Sequence, residues 1–492
     1  MTVKFWVYFA PFWVPIALML TRRVSISVAA LGAAAASLVL YVHGIPPQLD
    51  TVAEVVGLEL LKGVWLAVPI VSVILAGLLF HTLLSRLWLV PRDDPHSITV
   101  LDLDAARSAL FGACFLIGPF AEAATGFGVG LVICLGILLG LGLRKTDAIV
   151  FSLFSQTLVV WGAFAVGTML GTTLSGMADP RDLGWRSAVL MSPIMVGWLV
   201  AFWVLCRRAG LPGTPACMVK EALWVLAILI GVNGLGRYLE PDVIGLIVLG
   251  SLAATYSLIS TQGAGVALGT KLTRASPYMV LSGLLVASRL SAPVHEALAG
   301  LSVSPVPGAK AWAPLLSPAF WLLVVGLAFT LRKKTWSAVG DIARQTWVRG
   351  RVTVGVTLLF VVCAQLMISG NVPEVLAGEL QATVGASSAL MLSPILAAIA
   401  GFLTASNAAS NSLLMPGVSA LAVAHAVNTD WIAAIQNVTG SALSMLSPVR
   451  VMMGCAIAGV APATMGLVYR QAWMLGVIPV VVMISAAVIV VM

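Results

Sequence analysis

Of the 492 side chains, 60% are hydrophobic and 9% are charged, against about 25% charged in soluble domains. Water cannot be the main solvent of such a chain. Helix-length apolar runs recur from end to end, predicting an all-α polytopic membrane protein rather than a barrel built on alternation over ~10-residue strands. The formal charge of +8 comes from basic residues in short loops, such as Arg22-Arg23, Arg207-Arg208 and Arg332-Lys333-Lys334, a pattern of membrane insertion rather than of a nucleic-acid surface.

The first segment, MTVKFWVYFAPFWVPIALMLTRR, carries its arginine pair after the apolar part and lacks an A-x-A site, so it predicts a retained span rather than a cleaved signal. Apolar segments can be drawn at 5–20, 24–42, 63–84, 108–143, 147–175, 187–206, 220–235, 241–262, 278–290, 318–331, 352–370, 384–428, 431–468 and 472–491. Some are too long for one span and others too short, which leaves about 12–14 helical segments in one integral membrane domain over 1–492. Two approximate halves, 1–210 and 332–492, flank a central helical region, 211–331. The connection 332–351 holds six Lys/Arg against one Asp and reads as a cytoplasmic loop; 85–107 is the other strongly polar connection. Segment 291–317, rich in Pro, Ser and Ala, reads as an external loop.

The run 108–143 carries one formal charge, Glu122, in GPFAEAATGFGVG. A lone carboxylate near the bilayer centre costs roughly 3 kcal/mol or more, so it must face protein, water or a ligand. The arms 108–121 and 129–143 are each too short to cross the hydrocarbon core, predicting a re-entrant hairpin or broken helix. With no cation in the same run, burial would favour a proton-carrying role for Glu122. Thr125 could cap the half-helix that follows, whose amides attract an anion, while Gly126 and Gly128 permit close approach of a ligand. The alternative reading is a solvated hairpin tip and close helix packing.

A second interruption mirrors the first. In GFLTASNAASNSLLMPG, Ser406-Asn407 recurs as Ser410-Asn411, so helical spacing stacks the Ser pair and the Asn pair on adjacent stripes. Each break is followed by a further polar interruption, Gln156-Thr157 after the first and Gln436-Asn437 after the second. Matching broken segments in two halves point to a transporter of inverted-repeat type with a midplane site, although interhelical hydrogen bonding alone would also use such residues.

The six cysteines are scattered and read as small core residues. The five histidines stand singly near segment ends, and Arg289 reads as an interfacial anchor that snorkels to the headgroups. No H-E-x-x-H, G-x-S-x-G or Walker phosphate loop is present, and no cofactor or metal is implied.

These residues resemble the lactate permease family, whose G-x-F-x-E-G-A-A-G-F-G type motif reads here as Gly118-Pro119-Phe120-Ala121-Glu122-Ala123-Ala124-Thr125-Gly126-Phe127-Gly128. GFLTASNAASN, IQNVTGSALSMLSPVRVMMGCAIAG and PYMVLSGLLVASRL resemble later family segments in the same order. Pro119 and Thr125 depart from the pattern where Ala or Gly is expected. The resemblance implies proton-coupled uptake of lactate, glycolate and related short 2-hydroxymonocarboxylates across a bacterial inner membrane, not an enzyme activity. It places Glu122, Thr125, Gly126, Phe127 and Gly128 in one hairpin and Ser406, Asn407, Ser410 and Asn411 in the other. The expected mechanism binds the substrate carboxylate with half-helix amides and Ser/Thr/Asn groups, requires no buried arginine, and uses Glu122 for the proton. Sodium coupling through the Ser/Asn breaks is the alternative within the class; an intramembrane enzyme or a scaffold lies outside it.

Overall fold

The computed structural model describes residues 3–20, 24–44, 52–87, 103–126, 128–260, 268–332, 339–383 and 385–492. Arg22-Arg23, His96, Phe127, Lys333-Lys334 and most of the 85–107 connection lie outside them. Among the described residues the chain is helical throughout, with one isolated antiparallel bridge between Val303 and Trp312.

Three helices open the chain: α1 (Val3–Tyr8), α2 (Ala10–Leu20) and α3 (Ile26–His43). The first half continues with α4 (Val52–Leu87), α5 (Leu103–Gly112), a π-turn over Ala113–Ile117, α6 (Gly118–Thr125) and α7 (Val129–Gly140). Next come α8 (Lys145–Ser152), short 3₁₀ turns at Leu153–Gln156 and Val159–Trp161, α9 (Gly162–Ser175) and α10 (Pro180–Arg208). The central region holds α11 (Pro215–Leu235), α12 (Pro241–Ser260), α13 (Leu268–Leu290), α14 (Ala292–Ala299) and α15 (Pro318–Arg332). The second half comprises α16 (Val339–Ser369), α17 (Val372–Thr383), α18 (Ala386–Thr404), α19 (Asn407–Ala424), α20 (Thr429–Ser444), α21 (Pro448–Ile457) and α22 (Met465–Val491).

Among the described residues ten helices are long and apolar enough to cross a membrane, and α8 and α9 form a further apolar pair, bent by 56° at its break, that is either a broken span or a re-entrant loop. The chain is a multi-pass membrane protein. The long apolar runs resolve into broken spans, while α7 and α15 are shorter apolar helices. This is why full crossings are fewer than the 12–14 expected segments.

Three boundaries differ from expectation. The arm before Glu122 starts at Leu103, not 108, and its 23 residues to Thr125 suffice for a crossing, so only the arm after the break is short. The basic connection 332–351 is helical from Val339 on, its arginines Arg344, Arg349 and Arg351 forming a polar N-terminal extension of the long apolar helix instead of a loop. Segment 291–317 contains α14 and the Val303–Trp312 bridge. It packs back on the bundle through Trp65, whose indole donates to the Lys310 carbonyl at 3.0 Å.

One order of elements occurs twice: a long helix (α4, α16), a helix pair broken mid-run (α6/α7, α18/α19), a second broken span (α8/α9, α20/α21) and a long closing helix (α10, α22). The like elements also touch. α16 packs along α4 and α10 along α22, the latter tied by the buried Trp198 indole donating to the Leu475 carbonyl at 3.0 Å. An aromatic cluster of Phe111, Phe115, Phe151, Phe154 and Phe202 fills the core between α5, α8 and α10.

Candidate functional site

Every break between paired helices is made by backbone that leaves the right-handed region. Gly126 and Gly128 take φ +74° and +82° between α6 and α7, conformations that cost glycine little. A Cβ on Gly126 would collide with Ala163. The matching break between α18 and α19 turns on Ala405 at φ 58°. Ser406 follows as the N-cap of α19, its hydroxyl accepting from the Ala409 amide at 3.2 Å. In the second broken span the first turn of α9 is itself irregular: Ala163, Phe164 and Ala165 all sit at φ 50–56°. Three consecutive non-glycine residues in that region carry about 1–2 kcal/mol of strain each, and nothing in their side-chain types signals it.

Glu122 lies in α6, three residues before its end, and is buried. Its Oε1 accepts from the Gly128 amide at 3.1 Å, and its Oε2 accepts from the Gly130 amide and from Gln156 Nε2, both at 3.1 Å. The first amides of α7 therefore face this carboxylate, so the positive end expected to attract a substrate anion is occupied by the chain's own acid. Thr125 does not cap α7. Its hydroxyl donates back to the Ala121 carbonyl at 2.6 Å, since Gly126 turns the chain away and Gly128 takes the N-cap position.

The largest departure from expectation is Arg450. On α21, capped by Ser447, its Nη2 comes within 4.0 Å of Glu122 Oε1 and donates to the Ala405 carbonyl at 3.3 Å. Arg450 Nη1 is buried with no hydrogen-bond partner among the described residues. The site thus does contain a buried arginine, brought in from 328 positions along the chain by the break at Met445–Ser447 that separates α20 from α21. An arginine inside the over-long run 431–468 was the available signal, because a charge at membrane depth is functional by default.

The amides form a second cluster. Asn437 on α20 accepts at Oδ1 from Asn407 (2.9 Å) and Asn411 (2.8 Å) on α19. It donates through Nδ2 to Thr168 on α9 (3.1 Å) and Ser187 on α10 (3.0 Å). Gln436 donates to the Ser410 hydroxyl at 3.3 Å. Gln436 and Asn437 stand in an unbroken stretch of α20 rather than at an interruption of their own, because polar side chains facing polar neighbours leave helix geometry intact. Ser406 is a cap and Ser410 an interhelical partner, so the two serines do not act as a pair.

A cavity of about 240 Å³ joins these parts. Its walls include Glu122, Gly162, Ser406, Asn407 and Arg450, so residues beside three breaks, one acid and one guanidinium share a single space. Gln156 reaches it only through Glu122, and Asn411, Ser410, Gln436 and Asn437 lie behind Asn407 as supports. Arg289 is no interfacial anchor. Its side chain is 10% exposed and its Nη2 binds Asp242 Oδ2 at 2.5 Å and the Leu316 carbonyl at 2.8 Å, because two acids near the start of α12 hold it inward. Five cysteines are buried and Cys217 is half-buried. Among the described residues no cluster of His, Cys, Asp and Glu could hold a metal ion.

The chain is similar to an L-lactate permease. That protein, from Salmonella typhimurium strain LT2, is 28% identical to it over 144 residues. The matched stretch is 28% of this chain and 25% of the permease, about a quarter of that relative's length. No family model matches the chain. The match agrees with the motif resemblance to lactate permeases.

Proposed function

We propose that this chain is a secondary transporter of the bacterial inner membrane that takes up lactate- or glycolate-type short 2-hydroxymonocarboxylates together with protons. Its two halves act as inverted repeats around the cavity. The observation that carries this reading is the Glu122–Arg450 pair, 4.0 Å apart and nearly unexposed, in the cavity where the breaks meet.

The coupling follows from charge. With Glu122 ionised and Arg450 protonated, the site is neutral. A substrate carboxylate that binds the unpartnered Nη1 of Arg450 adds a negative charge to a low-dielectric space, at a cost of roughly 3 kcal/mol or more. A proton on Glu122 cancels that charge, and the site is neutral again with Arg450 facing the substrate instead of Glu122. One proton therefore travels with one monocarboxylate. A dicarboxylate would bring a charge that no second guanidinium in the cavity meets. The empty carrier returns with Arg450 neutralised by Glu122, whose carboxylate the Gly128, Gly130 and Gln156 donors then hold in place. Asn407, backed by Asn437, offers polar atoms to the substrate hydroxyl.

The test is uptake of labelled L-lactate into proteoliposomes under an inward proton gradient without sodium. Concentrative uptake that collapses with a protonophore supports the reading. Uptake that appears only on adding sodium moves coupling to the amide oxygens around Asn407 and Asn411, whose Oδ1 atoms are buried without partners. Absence of uptake under both conditions overturns the substrate class.

A further inference from the structure

A second, larger cavity of about 550 Å³ lies on the other side of Ile70 and Val166, the two residues that line both spaces. Its walls are mostly apolar, with Trp65, Phe164 and Trp312 among them, and its rim carries Lys62 and the exposed Lys310. α16 runs past both cavities. Val352 lines the small one and Gln365 the large one, about 20 Å apart along the helix at 1.5 Å per residue. Val352 and Val449, which line the small cavity, are both exposed, and the arginines of α16, Arg344, Arg349 and Arg351, cluster toward that end. The two spaces thus lie toward opposite ends of α16, and by the positive-inside rule its basic end faces the cytoplasm.

The partition coincides with the strained backbone. Ala163 faces the small cavity, Phe164 the large one and Val166 both, immediately around the three left-handed residues. In the large cavity Arg289 has a buried Nη1 without a hydrogen-bond partner among the described residues, although its other nitrogens face Asp242 and Glu240.

We propose that the larger cavity is the external vestibule of the transport path, that Arg289 is the first station for the substrate carboxylate, and that Ile70 and Val166 form the closed gate to Arg450. The identity of the anion rests on the transport reading above; the path and its gate do not. The structure is then closed toward the vestibule and open toward the basic side. Relaxation of residues 163–165 to ordinary helical backbone shifts Val166 and opens the gate.

The experiment uses the full chain in proteoliposomes with its native cysteines replaced, and membrane-impermeant thiosulfonate reagents of either charge as probes. A cysteine at Met169, on the vestibule wall, reacts quickly with both. A cysteine at Thr357, on the inner cavity wall, reacts from the vestibule side at least about tenfold more slowly, through a minor open state. Val166→Ala raises the Thr357→Cys rate about tenfold and leaves the Met169→Cys rate unchanged. Equal rates at the two cysteines with Val166 intact, or no response to Val166→Ala, overturn the gate.

For the station, Arg289→Gln lowers the ratio of anionic to cationic labelling at Met169→Cys by about tenfold, the scale of charge focusing in a cleft, and Arg289→Lys restores it. If Arg289→Gln does not fold, Glu240→Gln replaces it, which leaves more of the Arg289 charge uncompensated and raises the same ratio. An unchanged ratio in the folded variant overturns the station. Because labelling needs no lactate, failed uptake with an intact labelling pattern faults the substrate, and successful uptake with a failed pattern faults only the gate.

Discussion

Among the described residues two buried arginine–glutamate pairs sit in this bundle, and they are built to opposite designs. Arg107 on α5 meets Glu221 on α11 through Nε–Oε1 and Nη2–Oε2, both 2.9 Å, and its Nη1 donates to the Leu211 carbonyl at 2.5 Å. Trp203 completes the set by donating to Glu221 Oε2 at 2.7 Å. Arg450 and Glu122 approach to 4.0 Å at one atom pair, and one Arg450 nitrogen is left over. The first pair engages all three guanidinium nitrogens in the fold, whereas the second keeps one nitrogen without a partner on a residue that lines a cavity. A satisfied bidentate pair is a clamp; an incompletely satisfied one beside open space is a place for a ligand.

The contrast is broken or sharpened by substitution. Arg450→Gln should abolish lactate uptake, by about a hundredfold or more for loss of a charge-assisted contact worth ~3 kcal/mol, with folded yield retained. Strong residual uptake would move the carboxylate site elsewhere. Arg107→Gln should do the reverse. It strands Glu221 and lowers stability by about 3–5 kcal/mol, read as a large fall in the melting temperature in detergent, while uptake per folded molecule stays near normal.

Two further changes probe the backbone and the proton. Gly126→Ala should destabilise by about 2–4 kcal/mol through its positive φ and its collision with Ala163, measured by the same melting experiment. Glu122→Gln keeps the shape of the site but removes its exchangeable charge. Accumulation driven by a pH gradient should disappear while lactate–lactate exchange continues at a reduced rate; intact accumulation would make Glu122 structural. The smallest expected effect is that of Asn437→Ala, which leaves the Asn407 and Asn411 amides without their shared acceptor at about 1–3 kcal/mol and leaves proton dependence unchanged.

What the sequence discloses follows the physics of a greasy chain. Glu122 and the Asn407–Asn411 cluster stand out because charge and amides interrupt apolar runs, and both mark real breaks. The all-helical architecture follows equally from composition. Arg450 was hidden by its surroundings, since a 38-residue apolar run must contain a loop, and a loop is where an arginine raises no question. The pairing of Gln156 with Glu122 across 34 positions has no local signature. Nor has the left-handed triplet Ala163–Phe164–Ala165, because alanine and phenylalanine are also ordinary helix residues. Arg289 looked like a headgroup anchor because it closes an amphipathic segment; its partners, Glu240 and Asp242, arrive from another helix.

Asn437 has one more consequence. Its side chain is hydrogen-bonded to four others, Thr168 and Ser187 from one half of the chain and Asn407 and Asn411 from the other. In an apolar interior, loss of that partner strands Ser187 and Asn407 outright, while Thr168 and Asn411 fall back on the Val160 and Gly167 carbonyls alone. Over evolutionary time the five positions should therefore be inherited together. A relative with an apolar residue in place of Asn437 should have replaced the two asparagines of α19 as well, and a chimera that draws its halves from two such lineages should assemble poorly even when each half comes from a working protein.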